Sequence, residues 1–330
     1  MDEITFSGCR TAVAPLGVGT WAWGDRRTWG MGSYDTATTE DTIGDAWDRS
    51  LDAGVGLFDT AEVYGGGESE RILGRLLSRT LAGDPGVRDR LVVATKFWPA
   101  PWKLGVGPAL RHALEASLGR LQIPYVDLYQ IHGPISLRSA GALADALAVV
   151  VEAGLTLAVG VSNYSIKETT RIHRELADRG VPLASNQIEF SLLRRRPETT
   201  GLLRRCQELG VVPIAYSPIG QGRLTGKYSA TNPPPKGRNF SAHPMEAVDR
   251  VVAVLREIGA AHEDRTPSEV ALRWIIDKGV VPIPGAKNAR QAADNAGALG
   301  WRLEQAEIDA LDAVALDGTS SLANRFWQHG

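Results

Sequence analysis

Long hydrophobic runs are missing from this chain of 330 residues. No apolar stretch approaches the roughly 18 residues that a transmembrane helix needs, so no membrane partner is expected. Cysteine is scarce: Cys9 and Cys206 are the only two. Two are too few for a disulfide framework or a four-ligand zinc site. Both read as buried or inert thiols, and no metal is expected. The formal net charge is only −2, without the basic face that nucleic-acid binding requires. The opening MDEITFSGCR is acidic and lacks the apolar core of a signal peptide. A reducing cytoplasm is the compartment these absences suggest, and the balanced charge leaves the oligomeric state open. Also missing is a Gly-x-Gly-x-x-Gly fingerprint between a strand and a helix. The nearest stretch, Gly65-Gly66-Gly67, is a plain glycine run, which counts against a doubly wound dinucleotide fold.

What remains is an ordinary globular composition, 43% hydrophobic and 22% charged, with length enough for a large core. Short apolar runs alternate with amphipathic ones, the pattern of strand–helix units on a parallel sheet. A first pair, 4–6 and 11–14 around Ser7-Gly8, reads as a hairpin plug. Eight strands follow at 16–20, 55–58, 91–95, 126–131, 157–161, 183–188, 211–215 and 280–283. Helices are expected at 39–53, 68–81, 107–121, 139–153, 165–178, 197–209, 245–262, 267–278, 289–299 and 303–315. Thr38 or Thr39 would cap the first. Eight such units without a domain-like linker predict one (β/α)8 barrel domain over 1–330, with long loops at 21–38 and 218–244 and a tail at 317–330.

A barrel carries its site at the C-terminal ends of its strands. Those ends hold Thr20/Trp21, Asp59, Lys96, His132, Ser162/Asn163, Gln187, Tyr216/Ser217 and Gly285/Lys287. All are polar, aromatic or glycine, whereas strand interiors such as 92–94 are apolar. Taken singly, each has an ordinary explanation: Lys96 as an exposed strand-end lysine, Asp59 as a cap, His132 as a satisfied buried imidazole. Their joint placement at successive exits favours chemistry. Tyr64 follows Asp59 by five residues. A phenol, with its usual pKa of about 10, is a poor acid at neutral pH, and a lysine beside it is expected to lower that value.

Beyond these residues, FDTAEVYG with SERILG, then VATKFW, DLYQIH, GVSNYS, NQIEFSLL, AYSPIGQGRLTGKY and PIPGAKNARQAADN resemble the aldo-keto reductases in order and across essentially the whole chain. Within that family the nearest likeness is to the plant and cyanobacterial group, including pyridoxal reductase-like proteins. The resemblance implies a (β/α)8 barrel that reduces small carbonyl compounds with NADPH. It makes Tyr64 the general acid, Lys96 its pKa modulator, Asp59 the support of Lys96, and His132 the residue that orients the carbonyl. Thr20, Trp21 and Asp59 would lie against the cofactor. Ser162, Asn163 and Gln187 would bind the carboxamide, and Tyr216 would stack on the nicotinamide. The segment with Ser217, Pro218, Ile219, Gly226 and Lys227 would follow the pyrophosphate. Gly285, Lys287, Gln291 and Asn295 would meet the adenosine end, with Lys287 on the 2′-phosphate and Arg238 assisting.

Three positions depart from the family's usual residues. Gln291 stands where many relatives have arginine, Ala286 where serine or threonine is common, and Gly133 where a bulky residue precedes proline. The last departure is expected to enlarge the pocket. Trp21, Trp23, Trp29, Trp98 and Trp102 fall in loops at the catalytic face, and Trp23, Trp29 and Trp98 are expected to wall a pocket for a planar aldehyde. Phe326 and Trp327 are the tail's candidates to cap it. A second function class is an NADP(H)-binding regulatory or redox-sensing subunit with little turnover. A metal-assisted hydrolase is disfavoured, because the strand exits lack a His/Asp/Glu cluster.

Overall fold

The computed structural model describes residues 3–235, 237–238, 240, 242–319 and 326–330. Parts of the expected loop 218–244 and tail 317–330 therefore lie outside the described residues. A two-stranded antiparallel hairpin, β1 (Ile4–Thr5) and β2 (Ala12–Val13), precedes an eight-stranded parallel sheet. The sheet runs in chain order through β3 (Gly17–Gly19), β4 (Leu57–Asp59), β5 (Val92–Phe97), β6 (Val126–Ile131), β7 (Thr156–Ser162), β8 (Leu183–Glu189), β9 (Val212–Tyr216) and β10 (Val281–Pro282). The Gly19 N–H donates to the Pro284 carbonyl at 3.0 Å and bridges the seam between β3 and β10. Glycine is required there: a Cβ on Gly19 would lie 2.7 Å from the Ile283 oxygen.

The helices are α1 (Glu40–Asp52), α2 (Glu68–Gly83), α3 (Val106–Leu121), α4 (Ala140–Glu152), α5 (Ile166–Ala177), α6 (Arg196–Thr199), α7 (Leu202–Glu208), α8 (Met245–Ala261), α9 (Pro267–Asp277), α10 (Ala289–Ala296) and α11 (Gln305–Val314). Their starts follow local chemistry. Thr39, Ser165 and Thr266 close capping boxes at α1, α5 and α9, satisfying N–H groups that have no partner within the helix. In α5 the buried positions Thr169, Ile172 and Leu176 fall on one face, as a 3.6-residue period requires. The single helix expected over 197–209 is two, α6 and α7. Gly201 takes φ 86° between them, a left-handed conformation that glycine adopts at little cost.

Strand side chains alternate between two cores. Leu57, Val92, Ala94, Leu128, Ala158 and Val281 point into the barrel, where Phe6 and Val13 of the hairpin join them as the plug. Residues such as Phe58, Val93, Tyr129 and Val159 face outward and meet the helices. Two residues beyond the inward apolar positions, the same face carries Asp59, Lys96 and Gln130. The interior is thus dry at the hairpin end and polar at the other. Among the described residues, no helix is long and apolar enough to cross a membrane.

Candidate active site

Lys96 lies at the end of β5, fully buried at 0% exposure. Its ammonium has three N–H bonds and finds three acceptors. It bonds Asp59 Oδ1 closely, the Thr60 carbonyl at 2.8 Å and the Tyr64 hydroxyl at 3.4 Å. The other Asp59 oxygen accepts from Gln130 Nε2 at 3.1 Å and Gln187 Nε2 at 2.9 Å. The charge pair is therefore fully hydrogen-bonded, the condition under which burial of charge is tolerated. Tyr64 opens a short 3-10 turn, Tyr64–Gly67, whose glycines take positive φ and carry the chain into α2. Its hydroxyl accepts from Lys96, which leaves its own proton for a ligand.

Burial pushes the Tyr64 hydroxyl well above the ordinary phenol value, and the Asp59 carboxylate adds to the rise. The rise outweighs the lowering expected from the Lys96 ammonium 3.4 Å away. Burial also pulls the Lys96 ammonium below its ordinary value, opposed by Asp59. Tyr64 is accordingly a phenol that stays protonated. His132, just beyond β6, packs edge-on against Tyr64 with ring centroids 5.6 Å apart. Burial and the nearby Lys96 charge hold its imidazole well below the usual histidine range. It is a neutral ring, and its buried Nδ1 has no partner among the described residues.

The tryptophans divide by role. Trp98 meets His132 at 5.7 Å and stacks on Trp327 of the tail at 4.9 Å. Trp327 also touches His132 at 5.5 Å and fills the room left by Gly133, where a Cβ would lie 2.7 Å from its ring. The enlargement expected from Gly133 is thus taken up by the tail. Trp23 is not a pocket wall. It is fully buried, and its indole N–H donates to the Ala286 carbonyl at 2.8 Å. Trp29 is half-buried beneath two cations. Arg238 and Lys287 lie over its ring at 4.8 and 5.3 Å. Trp21 stacks on Tyr64 at 6.2 Å and touches Trp29 and Phe240 edge-on. Trp102 points to solvent at 78% exposure. Phe326 is likewise exposed, so of the two tail rings expected at the pocket only Trp327 lies against His132.

At the exits of β7, β8 and β9 the predicted residues form one bonded chain. Ser162 Oγ donates to the Gln187 carbonyl at 2.9 Å, Asn163 Nδ2 to Ser162 Oγ at 3.2 Å, and the Tyr216 hydroxyl to Asn163 Oδ1 at 2.9 Å. Gln328 of the tail donates to the Tyr216 hydroxyl at 3.0 Å and closely to Glu189. Thr20 sits beside Asp59 at the exit of β3. It is fully buried, with its hydroxyl shared between the Asp59 carbonyl and Ser69.

The loop after β9 carries Ser217 (φ 50°), Pro218, Ile219 and Gly226 (φ 76°) around a 3-10 segment, Gly220–Thr225. Lys227 is exposed, its ammonium over the Tyr228 ring at 5.0 Å. Arg223 and Arg238 are buried side by side: Arg223 Nη2 donates to the Arg238 carbonyl at 2.7 Å, and the Nε of each lacks a partner among the described residues. Burial and the adjacent Arg238 charge hold the Arg223 guanidinium below its usual value. Two buried guanidinium groups with no carboxylate between them suit a polyanion.

Across the seam, Gly285 is exposed and Asn295 Nδ2 donates to its carbonyl at 3.3 Å. Gln291 Oε1 accepts from the Lys287 N–H at 2.9 Å, and Lys287 Nζ pairs with Asp35 Oδ2 at 2.6 Å. Burial opposes the Asp35 charge, yet bonds from Lys287 and Thr38 hold its carboxyl below the usual range.

Sequence reasoning missed Gln130, Arg223, Asp35 and Gln328. Gln130 had a signal, a lone amide in the otherwise apolar interior of DLYQI. Asp35 and Gln328 had none, because their partners lie 252 and 112 residues away.

A parallel barrel with a buried Asp–Lys pair and a phenol at its polar end defines an oxidoreductase, and the chain belongs to the Aldo/keto reductase family, whose model matches residues 15–316. Its relatives include the chloroplastic pyridoxal reductase of Arabidopsis thaliana, 40% identical over 96% of this chain and 87% of that protein. The L-glyceraldehyde 3-phosphate reductase of Escherichia coli is 31% identical over 85% of this chain and 84% of that protein. Among solved structures, a glycerol dehydrogenase from Gluconobacter oxydans superposes with a TM-score of 0.79, at 29% identity and 97% and 98% coverage of the two chains. An aldo/keto reductase from Klebsiella pneumoniae in complex with NADP and acetate gives 0.73, at 27% identity and 95% coverage of each.

Proposed function

We propose that this chain reduces aldehydes and ketones to alcohols with NADPH, using Tyr64 as general acid. One observation carries the reading: Tyr64, Lys96, Asp59 and neutral His132 converge at the polar end of the barrel, with the Tyr64 proton unused. When bound, the nicotinamide supplies a hydride to the carbonyl carbon. Tyr64 gives the carbonyl oxygen its proton, the general-acid step. A high pKa keeps that proton in place until the oxygen becomes basic. Lys96, held by Asp59 and the Thr60 carbonyl, then stabilises the phenolate left behind. His132, uncharged, donates a hydrogen bond that orients the carbonyl without competing as an acid.

Ser162, Asn163 and Gln187 would hold the carboxamide end, with Tyr216 against the ring. The cofactor's phosphates would suit the guanidinium groups of Arg223 and Arg238, which no carboxylate pairs among the described residues, and the ammonium of Lys227. Lys287 would take the 2′-phosphate, which makes NADPH the favoured form. The aromatic cluster of Trp98, Trp327 and His132 beside Tyr64 favours a planar, aromatic aldehyde. The likeness to a pyridoxal reductase supports the same substrate shape.

The test is NADPH oxidation with an aldehyde panel that includes pyridoxal and 4-nitrobenzaldehyde, wild type beside Tyr64→Phe. Turnover lost in Tyr64→Phe with NADPH affinity unchanged supports the reading. Tight NADPH binding by the wild type with no turnover of any aldehyde would replace it with a regulatory, cofactor-binding role.

A further inference from the structure

Two cations lie against Trp29, and they differ in one respect. Arg238 carries no carboxylate partner among the described residues, whereas Lys287 is already paired with Asp35 at 2.6 Å. Asp35 is not a casual surface acid. It is three-quarters buried, and the Thr38 N–H and hydroxyl bond it at 3.2 and 2.9 Å. The carboxylate is therefore fixed on the loop after β3 and faces the ammonium from across the seam. An incoming phosphate must displace it or lie beside it, and either route lowers affinity for the phosphate. A cofactor without that phosphate leaves the pair untouched.

We propose that Asp35 is a specificity-determining residue, a built-in competitor that restrains the preference for NADPH over NADH by occupying Lys287. The proposal rests on the reading that Lys287 receives the 2′-phosphate. It makes discrimination between the cofactors a balance between two anions for one lysine, with Gln291 holding the Lys287 backbone rather than adding a second cation. Arg238, free of a carboxylate, supplies attraction that Asp35 does not oppose.

Asp35→Asn tests this directly. It removes the charge, keeps an oxygen to accept from the Thr38 N–H, and places an amide N–H that donates to the Thr38 hydroxyl, so the loop stays tied. Dissociation constants for NADPH and NADH are measured by titration calorimetry on the full chain. The variants are Asp35→Asn, Lys287→Met and the double variant. Asp35→Asn should tighten NADPH on the order of tenfold, the size of one partly screened charge contact, while NADH stays within about twofold. In the Lys287→Met background the same change should do nothing, because the competition is gone. Weaker NADPH binding in Asp35→Asn would overturn the proposal and make Asp35 a positioning residue for Lys287. Equal tightening of NADH would also overturn it, as an effect on the loop. A wild type that binds neither cofactor would remove the functional reading, and this proposal with it.

Discussion

Lys96→Met isolates the contribution of one buried ammonium. The side chain keeps its length and apolar stem and loses its charge. At the Tyr64 hydroxyl, 3.4 Å away, a unit charge is worth ~5 kcal/mol at an effective dielectric of about 20. The Asp59 carboxylate behind it cancels part of that field at the phenolate, leaving roughly 3–4 kcal/mol of stabilisation as the proton leaves. Removal should lower kcat on the order of 10²- to 10³-fold. Affinity for NADPH should hold, because no phosphate contact is assigned to Lys96. The same substitution strands a buried carboxylate, which costs ~3–5 kcal/mol of stability. Asp59→Asn combined with Lys96→Met removes that charge and should restore the melting temperature without restoring turnover. The assay is steady-state NADPH oxidation with 4-nitrobenzaldehyde, beside calorimetric NADPH binding. A kcat within tenfold of wild type in either variant would refute the reasoning.

Other consequences can be measured as simply. The Tyr64 hydroxyl is raised above its ordinary value of 10.0 and His132 lowered below 6.5, so reduction should be flat in kcat/KM from about pH 7 to 9. A bell centred there would contradict both directions. His132 should also couple stability to acid. Its unfolded form gains a proton below pH 6.5 that the folded form refuses, so stability should fall with pH from there by up to ~1.4 kcal/mol per unit. His132→Gln should remove that share of the slope in denaturant titrations. Trp23→Ala should cost ~3–5 kcal/mol in unfolding free energy as a cavity in the core, measured by denaturant. Trp98→Ala should leave stability within about 1 kcal/mol and raise KM for aromatic aldehydes more than for small aliphatic ones.

Period and punctuation carried most of the architecture. Short continuous apolar strands and capped helices of 3.6-residue period are local properties, and so is the polar residue that ends each strand. Asp59, Lys96 and His132 could be found that way. The tryptophans could not be sorted, because an indole in a loop has the same signature whether it walls a cavity or packs beneath one. Trp23 turned inward because the Ala286 carbonyl gives its N–H a partner. The Tyr64 pKa followed burial, which spacing does not record. The break at Gly201 inside an otherwise helical pattern shows a glycine's freedom outweighing periodicity. Partners brought together only by barrel closure, such as Asp35 and Lys287, leave no trace in a linear reading.

The seam between β3 and β10 joins residues from opposite ends of the family-matched segment. Gly19 reaches Pro284, Trp23 reaches Ala286 across 263 positions, and Asp35 reaches Lys287 across 252. Such distant pairings carry the largest loop-closure cost unless the intervening strands have already paired. The lysine assigned to the 2′-phosphate stands on one lip of this seam, with its competitor and Trp29 on the other. On the proposed reading, closing the barrel and completing the adenosine end of the site would coincide. A cofactor bound across both lips would then slow opening there and lengthen the lifetime of the barrel against unfolding and proteolysis.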